Sequence, residues 1–281
     1  MSAGAIAVCV KPVPDPRGRT GATEAERRSL RVSREGVDLV PDRGDRVALE
    51  AALRVRSEFA AAGWDGASVT VFLMGPPAAE TAARQCLALG ADRAVLVSDR
   101  ALAGSDALVT AKVLARAIGK LGGFGLVLTG VESSDGGTGQ VGPSLAALLG
   151  LDFLPGVTAL RAAGDGLVVE VREGDRVAEY GAALPVAASV SRGAYPPRTA
   201  TLAGIVQARG RPLEILACAD LGLTAEEVGA LGSPTAVVRL LPYGDGPRAQ
   251  MLEGTVEEQA RALAALLRGH GFAGGERGAA R

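Results

Sequence analysis

The chain has 281 residues, enough for one large domain or two small ones. Its 30 basic and 31 acidic residues nearly cancel, which argues against a general nucleic-acid binder. Three scattered cysteines and a single histidine, His270, argue against a disulfide framework and exclude a site with two histidine ligands. Without a long apolar run or a signal-like leader, we expect a cytoplasmic protein that does not insert into membranes.

Strand-like and helix-like segments alternate along the first half of the chain. A polar segment at 29–40 predicts a hairpin, and Asp45 is expected to cap the first helix. The alternation predicts an α/β fold, with a parallel sheet covered by helices on both faces. Strands are predicted at 5–10, 67–73, 94–97 and 124–128, and helices at 45–62, 78–89, 106–120 and 142–149.

The pattern changes after residue 157. Three antiparallel strands are predicted at 157–160, 167–171 and 177–183, and residues 184–190 are expected to rejoin the main sheet. Residues 191–235 have little periodicity and are expected to embrace a partner, and a capped helix is predicted at 255–267. We therefore expect three regions: an α/β domain at 1–190, an arm with a final helix at 191–269, and a disordered tail at 270–281.

The segment LTGVESSDGGTGQVGP at 128–143 carries the strongest chemical signal. It follows a predicted strand and opens a predicted helix, so its glycines and small hydroxyls lie at the carboxyl edge of the sheet. Backbone N–H groups of such a loop suit a phosphate. The segment matches neither a Walker A loop nor GxGxxG, and from the pattern alone a flexible glycine turn is an equal alternative.

Several segments in the same order resemble the beta subunit of electron transfer flavoprotein. They are VCVKPVPD at 8–15, DxxALEAA at 45–52, GADR at 90–93, DGxTGQVGP at 135–143, and Leu184-Pro185 followed by PRxATL at 197–202. The resemblance covers roughly residues 5–240.

The resemblance implies an electron carrier without catalysis of its own. Such subunits have a Rossmann-like domain and pair with an alpha subunit that holds most of the redox FAD. The heterodimer takes electrons from flavin dehydrogenases and passes them to a quinone-linked oxidoreductase or another acceptor. The beta subunit also binds an adenine nucleotide, which is AMP or a second FAD.

The resemblance also assigns residues by position. Leu202 would anchor a recognition loop at 198–207 that docks dehydrogenases, and Arg198 would belong to it. An exposed leucine within a polar rim suits such a role, although it can also fold inward. The nucleotide would contact Cys9, Asp42, Met74, Gly130, Ser133, Asp135, Gly136, Thr138, Gly139, Gln140 and Val141. For Asp42 and Met74, ordinary packing is the alternative.

The chain also departs from the family pattern. Val131-Glu132 replaces Lys-Gln, Gly137 replaces an acidic residue, and residues 42–44 replace Asn-Pro-aromatic. Arg172 stands where a docking-associated acidic residue is usual. These departures indicate a divergent branch with its own partners, and they leave AMP and a second FAD as alternatives.

Two other functions use the same superfold. An ATP-utilising enzyme would need a Mg²⁺-binding carboxylate and a cation near the loop. Asp135 offers the carboxylate, but no lysine is expected nearby. A universal-stress-type nucleotide-binding module would be a homodimer without the 191–235 arm.

Overall fold

A computed structural model describes residues 4–17, 36–64, 66–239 and 251–272. The chain forms two compact units, Met1–Leu240 and Leu241–Arg281. The first unit includes residues 191–239 as well as the sheet, and the predicted boundary at residue 190 stays a prediction.

The strands of the first unit confirm the α/β fold class. In chain order they are β1 (Ala5–Cys9), β2 (Pro12–Pro14), β3 (Leu39–Pro41), β4 (Ser68–Met74), β5 (Arg93–Val97), β6 (Leu126–Gly130), β7 (Asp152–Ala163), β8 (Gly166–Glu173), β9 (Arg176–Ala183), β10 (Val186–Val190) and β11 (Glu214–Leu216). Nine of them form one sheet in the order β11-β5-β4-β1-β6-β10-β7-β8-β9. The first seven strands of this order are parallel, and β8 and β9 extend the sheet antiparallel.

Helices cover both faces of this sheet because its strands are apolar on both sides. The helices are α1 (Arg43–Ala61), α2 (Glu80–Leu89), α3 (Ala107–Leu121), α4 (Val141–Leu149), α5 (Leu202–Gly210), α6 (Gly229–Gly232) and α7 (Val256–Gly269). In β1, Ile6 and Val8 join the core beneath α1 and α2, whereas Ala7 and Cys9 join the core beneath α3 and α4. Such a continuous apolar run is typical of a parallel strand buried on both faces.

The antiparallel extension and the return of the chain to the main sheet are confirmed. β7 pairs in parallel with β10 through its first half and antiparallel with β8 through its second half. β10 lies between β6 and β7, so the hairpin region is an excursion that leaves the parallel sheet and comes back to it.

Residues 191–235 are more regular than their sequence indicates. The chain crosses to the opposite edge of the sheet, where β11 pairs in parallel with β5. The segment also contains α5 and α6, and Arg84 on α2 donates hydrogen bonds to the carbonyls of Ala208 and Arg209 at the end of α5. Short strands and helices have too few residues for a periodic pattern to emerge.

One local prediction near the first helix is wrong, and a second lies partly outside the described residues. Asp42, not Asp45, caps α1, because its Oδ1 accepts the Gly44 N–H at 2.8 Å. The expected hairpin falls partly outside the described residues. Its described part, β3, pairs antiparallel with β2, and the predicted partner strand at 29–32 is among the residues outside the described ranges.

The second unit contains α7. Thr255 and Glu258 form the predicted capping box, with the Glu258 Oε2 accepting the Thr255 N–H at 2.7 Å. The predicted disordered tail lies outside the described residues from position 273 onward. Among the described residues, no helix is long and apolar enough to cross a membrane.

Candidate functional site

The glycine-rich loop at 131–140 connects β6 to α4 at the carboxyl edge of the parallel sheet. β1 is the neighbour of β6, so the residues that follow β1 lie beside the loop. In open α/β sheets this edge is where ligands bind.

The first half of the loop is fixed by the start of α1. Asp42 is fully buried, and its Oδ2 accepts hydrogen bonds from the Ser134 N–H at 2.8 Å and the Ser134 hydroxyl at 2.5 Å. Asp45 Oδ1 accepts the Gly130 N–H at 3.0 Å, and its Oδ2 accepts the Lys11 N–H at 2.7 Å. These two carboxylates join β1, α1 and the loop into one substructure.

Lys11 extends its side chain from the end of β1 to the loop. Its Nζ lies 2.5 Å from Asp135 Oδ1 and donates a hydrogen bond to Ser133 Oγ at 3.1 Å. Asp135 Oδ1 also accepts the Gly136 N–H at 2.7 Å. An ammonium and a backbone N–H therefore converge on one anionic oxygen.

The two acidic residues beside Lys11 have opposite pKa shifts. Burial raises the pKa of Asp45 from 3.8 to about 7, even though the N–H groups of Lys11 and Gly130 oppose the shift. Burial would also raise the pKa of Asp135, but the hydrogen bond and charge of Lys11 outweigh it and lower that pKa. Asp135 is therefore an anion at neutral pH, whereas the pKa of Asp45 is itself close to neutral.

The second half of the loop presents its backbone to solvent. Gly137 and Gly139 have φ values of +57° and +63°, a conformation that favours glycine. Gln140 precedes α4 and makes no side-chain cap to it, and Val141 is the first helical residue. Thr138 Oγ1 is 3.5 Å from the Gln140 N–H. The N–H groups at the start of α4 therefore have no side-chain cap in the described structure.

Gly142 and Thr129 lie in close contact beneath the loop. A Cβ on Gly142 would lie 2.9 Å from Thr129 Oγ1 and 3.2 Å from the Phe153 ring, so α4 approaches β6 closely. Thr129 is 6% exposed, and its hydroxyl has no hydrogen-bond partner in the described structure. Such an orphaned hydroxyl is uncommon in a protein interior.

Cys9 and Met74 end the adjacent strands β1 and β4 and share the face covered by α3 and α4. Cys9 is buried, and burial followed by the charge of Asp45 raises the pKa of its thiol. A protonated, buried thiol is not a nucleophile. Cys9 belongs to the core, and the partly buried Met74 packs against that core.

The donors at this edge of the sheet suit a phosphate group. A phosphate requires a cation, hydroxyls and approachable N–H groups, which Lys11, Ser133, Thr138 and the loop backbone supply. A Cβ on Gly136 would lie 3.5 Å from Lys11 Nζ, so the missing side chain keeps the ammonium approachable.

A cleft of about 1050 Å³ adjoins the second half of the loop. Its walls include Val131, Gly139, Pro143, Phe153, Arg172 and Ser191. The cleft provides room beyond the loop for a larger ligand or for a partner protein.

The two residues expected to dock partners have different surroundings. The Arg198 guanidinium binds Glu50 on α1, with Nε–Oε2 at 2.7 Å and Nη2–Oε1 at 3.2 Å. Leu202 is the first residue of α5 and is 78% exposed, and Ile205 and Val206 are exposed on the same helix. The loop expected at 198–207 is thus partly helical, and its docking role stays a prediction.

Sequence reasoning missed three residues of the site, namely Lys11, Asp45 and Ser134. The expectation that no lysine lies near Asp135 is wrong, because Lys11 is 124 positions away in sequence and in contact in space. A signal was present, since Lys11 directly follows a predicted parallel strand and Asp135 follows another. Their contact depends on β1 and β6 being neighbours, which the sequence pattern did not establish.

Comparison with known proteins finds matches along most of the chain. Residues 29–221 match the electron transfer flavoprotein domain. The chain is 34% identical to an electron transfer flavoprotein subunit beta of Thermoanaerobacterium thermosaccharolyticum, over 93% of this chain and 97% of that protein. It is 35% identical to subunit CarD of a caffeyl-CoA reductase-Etf complex of Acetobacterium woodii, over 94% and 97%. It is also 35% identical to the protein FixA of Azorhizobium caulinodans, over 93% of both chains.

Proposed function

This chain belongs to the electron transfer flavoprotein family, as a relative of its beta subunits, and from that premise we propose that it is the beta subunit of a flavin-carrying heterodimer. The heterodimer accepts electrons from flavin dehydrogenases and passes them to a quinone-linked oxidoreductase or another acceptor. The observation that carries the proposal is the glycine-rich loop, which lies within the matched residues 29–221, precedes a helix without a side-chain cap from Gln140, and contacts Lys11 at the end of β1.

We propose that the loop binds the phosphate of AMP and that the nucleotide has a structural role. Cys9 and Met74 would contact the adenine, and Ser133, Gly136, Thr138, Gly139, Gln140 and Val141 would surround the phosphate. Asp42 and Gly130 would support the loop from beneath, because Asp42 accepts a hydrogen bond from Ser134 and the Gly130 N–H donates one to Asp45. A second FAD is the alternative ligand, and the adjoining cleft supports it by offering space beyond the loop.

The residues of this chain would position groups and would not catalyse a reaction. Asp42 and Asp45 keep the loop against β1 and α1, so that its N–H groups are oriented before a ligand arrives. The FAD shared with the alpha subunit would supply the electron chemistry. The exposed apolar residues of α5 would supply the contact with dehydrogenases.

Cofactor quantitation tests this proposal. The chain is co-expressed with a candidate alpha subunit, and the ligands released from the purified complex are counted. One FAD and one AMP per heterodimer are expected. Two FAD and no AMP per heterodimer would show that the loop binds a second flavin and not AMP. A chain that forms no complex and holds no flavin would contradict the proposed function.

A second candidate, an ATP-utilising enzyme, is favoured by one observation. The Lys11–Asp135 pair supplies the cation and the carboxylate that such an enzyme needs. ATP turnover by the purified chain tests this candidate, and the electron-transfer proposal expects none above that of a Lys11→Met variant.

A further inference from the structure

Asp135 Oδ1 lies where donors converge at the tip of the loop. Lys11 Nζ is 2.5 Å from it and the Gly136 N–H donates to it at 2.7 Å. Ser133 Oγ, which accepts from Lys11, lies 3.4 Å from the same Gly136 nitrogen. A cation, an N–H and a hydroxyl around one anionic oxygen make up the donor set that phosphate oxygens use.

The surrounding charges require a cation for any phosphate bound here. Asp42 is buried at the base of the loop, and Asp135 lies at its tip. A phosphate brought next to these carboxylates is repelled unless an opposite charge offsets them. Lys11 is 39% exposed, and its ammonium contacts Asp135 and Ser133 of the loop, so it is placed to provide that charge.

From this geometry we infer that Lys11 is the counter-ion of the nucleotide phosphate, and that Asp135 is an internal anion which the phosphate displaces from it. The inference rests on the proposed nucleotide-binding function and deepens it. Gly136 is exposed and has no side chain in front of the ammonium, and a Cβ there would lie 3.5 Å from Lys11 Nζ, so a phosphate can approach the ammonium at this position. The same exchange applies to the phosphates of AMP and of FAD.

The exchange gives the two partners of one ion pair opposite roles. Removing the Lys11 charge removes an attraction for the phosphate, and removing the Asp135 charge removes its competitor. If the pair were only a structural latch, or if Asp135 bound the ribose, both losses would weaken binding.

The test compares AMP with adenosine, which lacks the phosphate. The full chain is purified with its alpha subunit and cleared of bound nucleotide, and binding is measured by calorimetry for Lys11→Met, Lys11→Arg and Asp135→Asn. Lys112→Met is the matched control, because Lys112 forms a comparably exposed pair with Glu227 at 2.9 Å away from the loop.

We expect Lys11→Met to weaken AMP binding roughly tenfold or more and to leave adenosine binding unchanged. Lys11→Arg should retain most of the affinity, Asp135→Asn should bind AMP severalfold more tightly, and Lys112→Met should match wild type. Equal losses for AMP and adenosine in Lys11→Met, or weaker AMP binding in Asp135→Asn, would overturn the inference. A wild-type complex that binds neither AMP, adenosine nor FAD would instead overturn the proposed function, and this inference with it.

Discussion

Gly130 ends β6 at a point where the backbone of α1 comes close to it. A Cβ at this position would lie 2.6 Å from Asp45 Oδ1 and 3.1 Å from the carbonyl carbon of Gly44. Neither group can move freely, because Asp45 is buried and holds two N–H groups. The position therefore requires glycine for reasons of space.

We expect Gly130→Ala to lower the free energy of unfolding by about 2–4 kcal/mol, since something in the base of the loop must shift. Gly119→Ala is the matched control. Gly119 lies within α3 with open space around it, so alanine there should stabilise by roughly 0.5–1 kcal/mol. Denaturant titration measures both, and a Gly130→Ala protein as stable as wild type would show that the base of the loop is not tightly packed.

Asp45 makes stability depend on pH in an unusual direction for a carboxyl group. Its pKa rises from 3.8 to about 7 on folding, so the folded chain holds this proton more tightly than the unfolded chain. The stability that it contributes is fully present below about pH 4 and is lost as the pH rises through about 7.

Asp45→Asn removes this titration. Relative to the variant, wild type should lose about 4 kcal/mol of unfolding free energy between pH 4 and pH 8, because the shift spans about three pH units of roughly 1.4 kcal/mol each. The variant also loses one acceptor, so the informative quantity is the pH dependence of the difference and not its absolute value. Denaturant titrations at unit steps of pH measure it, and parallel curves would contradict the shift.

At the scale of elements, an ion pair between a buried carboxylate, Glu50, and a partly exposed arginine, Arg198, ties the chain after β10 to α1. Glu50 is 4% exposed and accepts from the side chains of Arg198 and Arg54. Burial would raise the pKa of Glu50, but the hydrogen bonds from Arg198 and then Arg54 outweigh it and lower that pKa. The pair therefore fixes the segment that precedes α5.

Arg198→Met should cost about 2–4 kcal/mol near neutral pH, because it leaves a buried carboxylate without its main partner. The cost should shrink as the pH falls below about 4.5, where Glu50 is protonated in the unfolded chain and the lowered pKa no longer adds stability. Arg93→Met is the control. Its pair with Glu214 is exposed, so the loss should stay under about 1 kcal/mol. Equal losses in both variants would show that burial of Glu50 is unimportant.

Elements with strong periodicity were predictable from the sequence, whereas short elements and the pairing of strands in the sheet were not. The apolar runs of β1, β4 and β5 predicted buried parallel strands, and the Thr255–Glu258 capping box predicted the start of α7. β11 has three residues and pairs across a long sequence separation, so no local pattern marks it. The Asp42 cap was missed because Asp42 and Asp45 are both acidic and three residues apart, and local sequence does not distinguish them.

At the scale of the whole first unit, the sheet order decides which distant residues form the site. β10 lies between β6 and β7, and Phe153, Ser191 and Arg172 therefore face a cleft beside the glycine-rich loop. The loop itself was predictable from its glycines. The Lys11 contact and the cleft were not, since they depend on which strands are adjacent.

The exposed apolar face of α5 leads to a prediction for the assembled heterodimer. Leu202 is 78% exposed, so its side chain contributes little to the folding of this chain. Replacing such an exposed leucine weakens binding only if a partner covers the side chain. The resemblance implies that this partner is a dehydrogenase.

We expect Leu202→Asp to leave the unfolding free energy within about 0.5 kcal/mol of wild type and the FAD content unchanged. It should raise the KM of a flavin dehydrogenase for the heterodimer roughly tenfold or more, because an aspartate within an apolar contact is desolvated without a partner. Leu231→Asp is the matched control, because Leu231 is 80% exposed on α6 and should leave KM unchanged. If the two variants raise KM equally, the effect follows from added negative charge and α5 is not the docking surface. If only Leu202→Asp does so, the contact is specific to the helix that Arg198 and Glu50 hold in place.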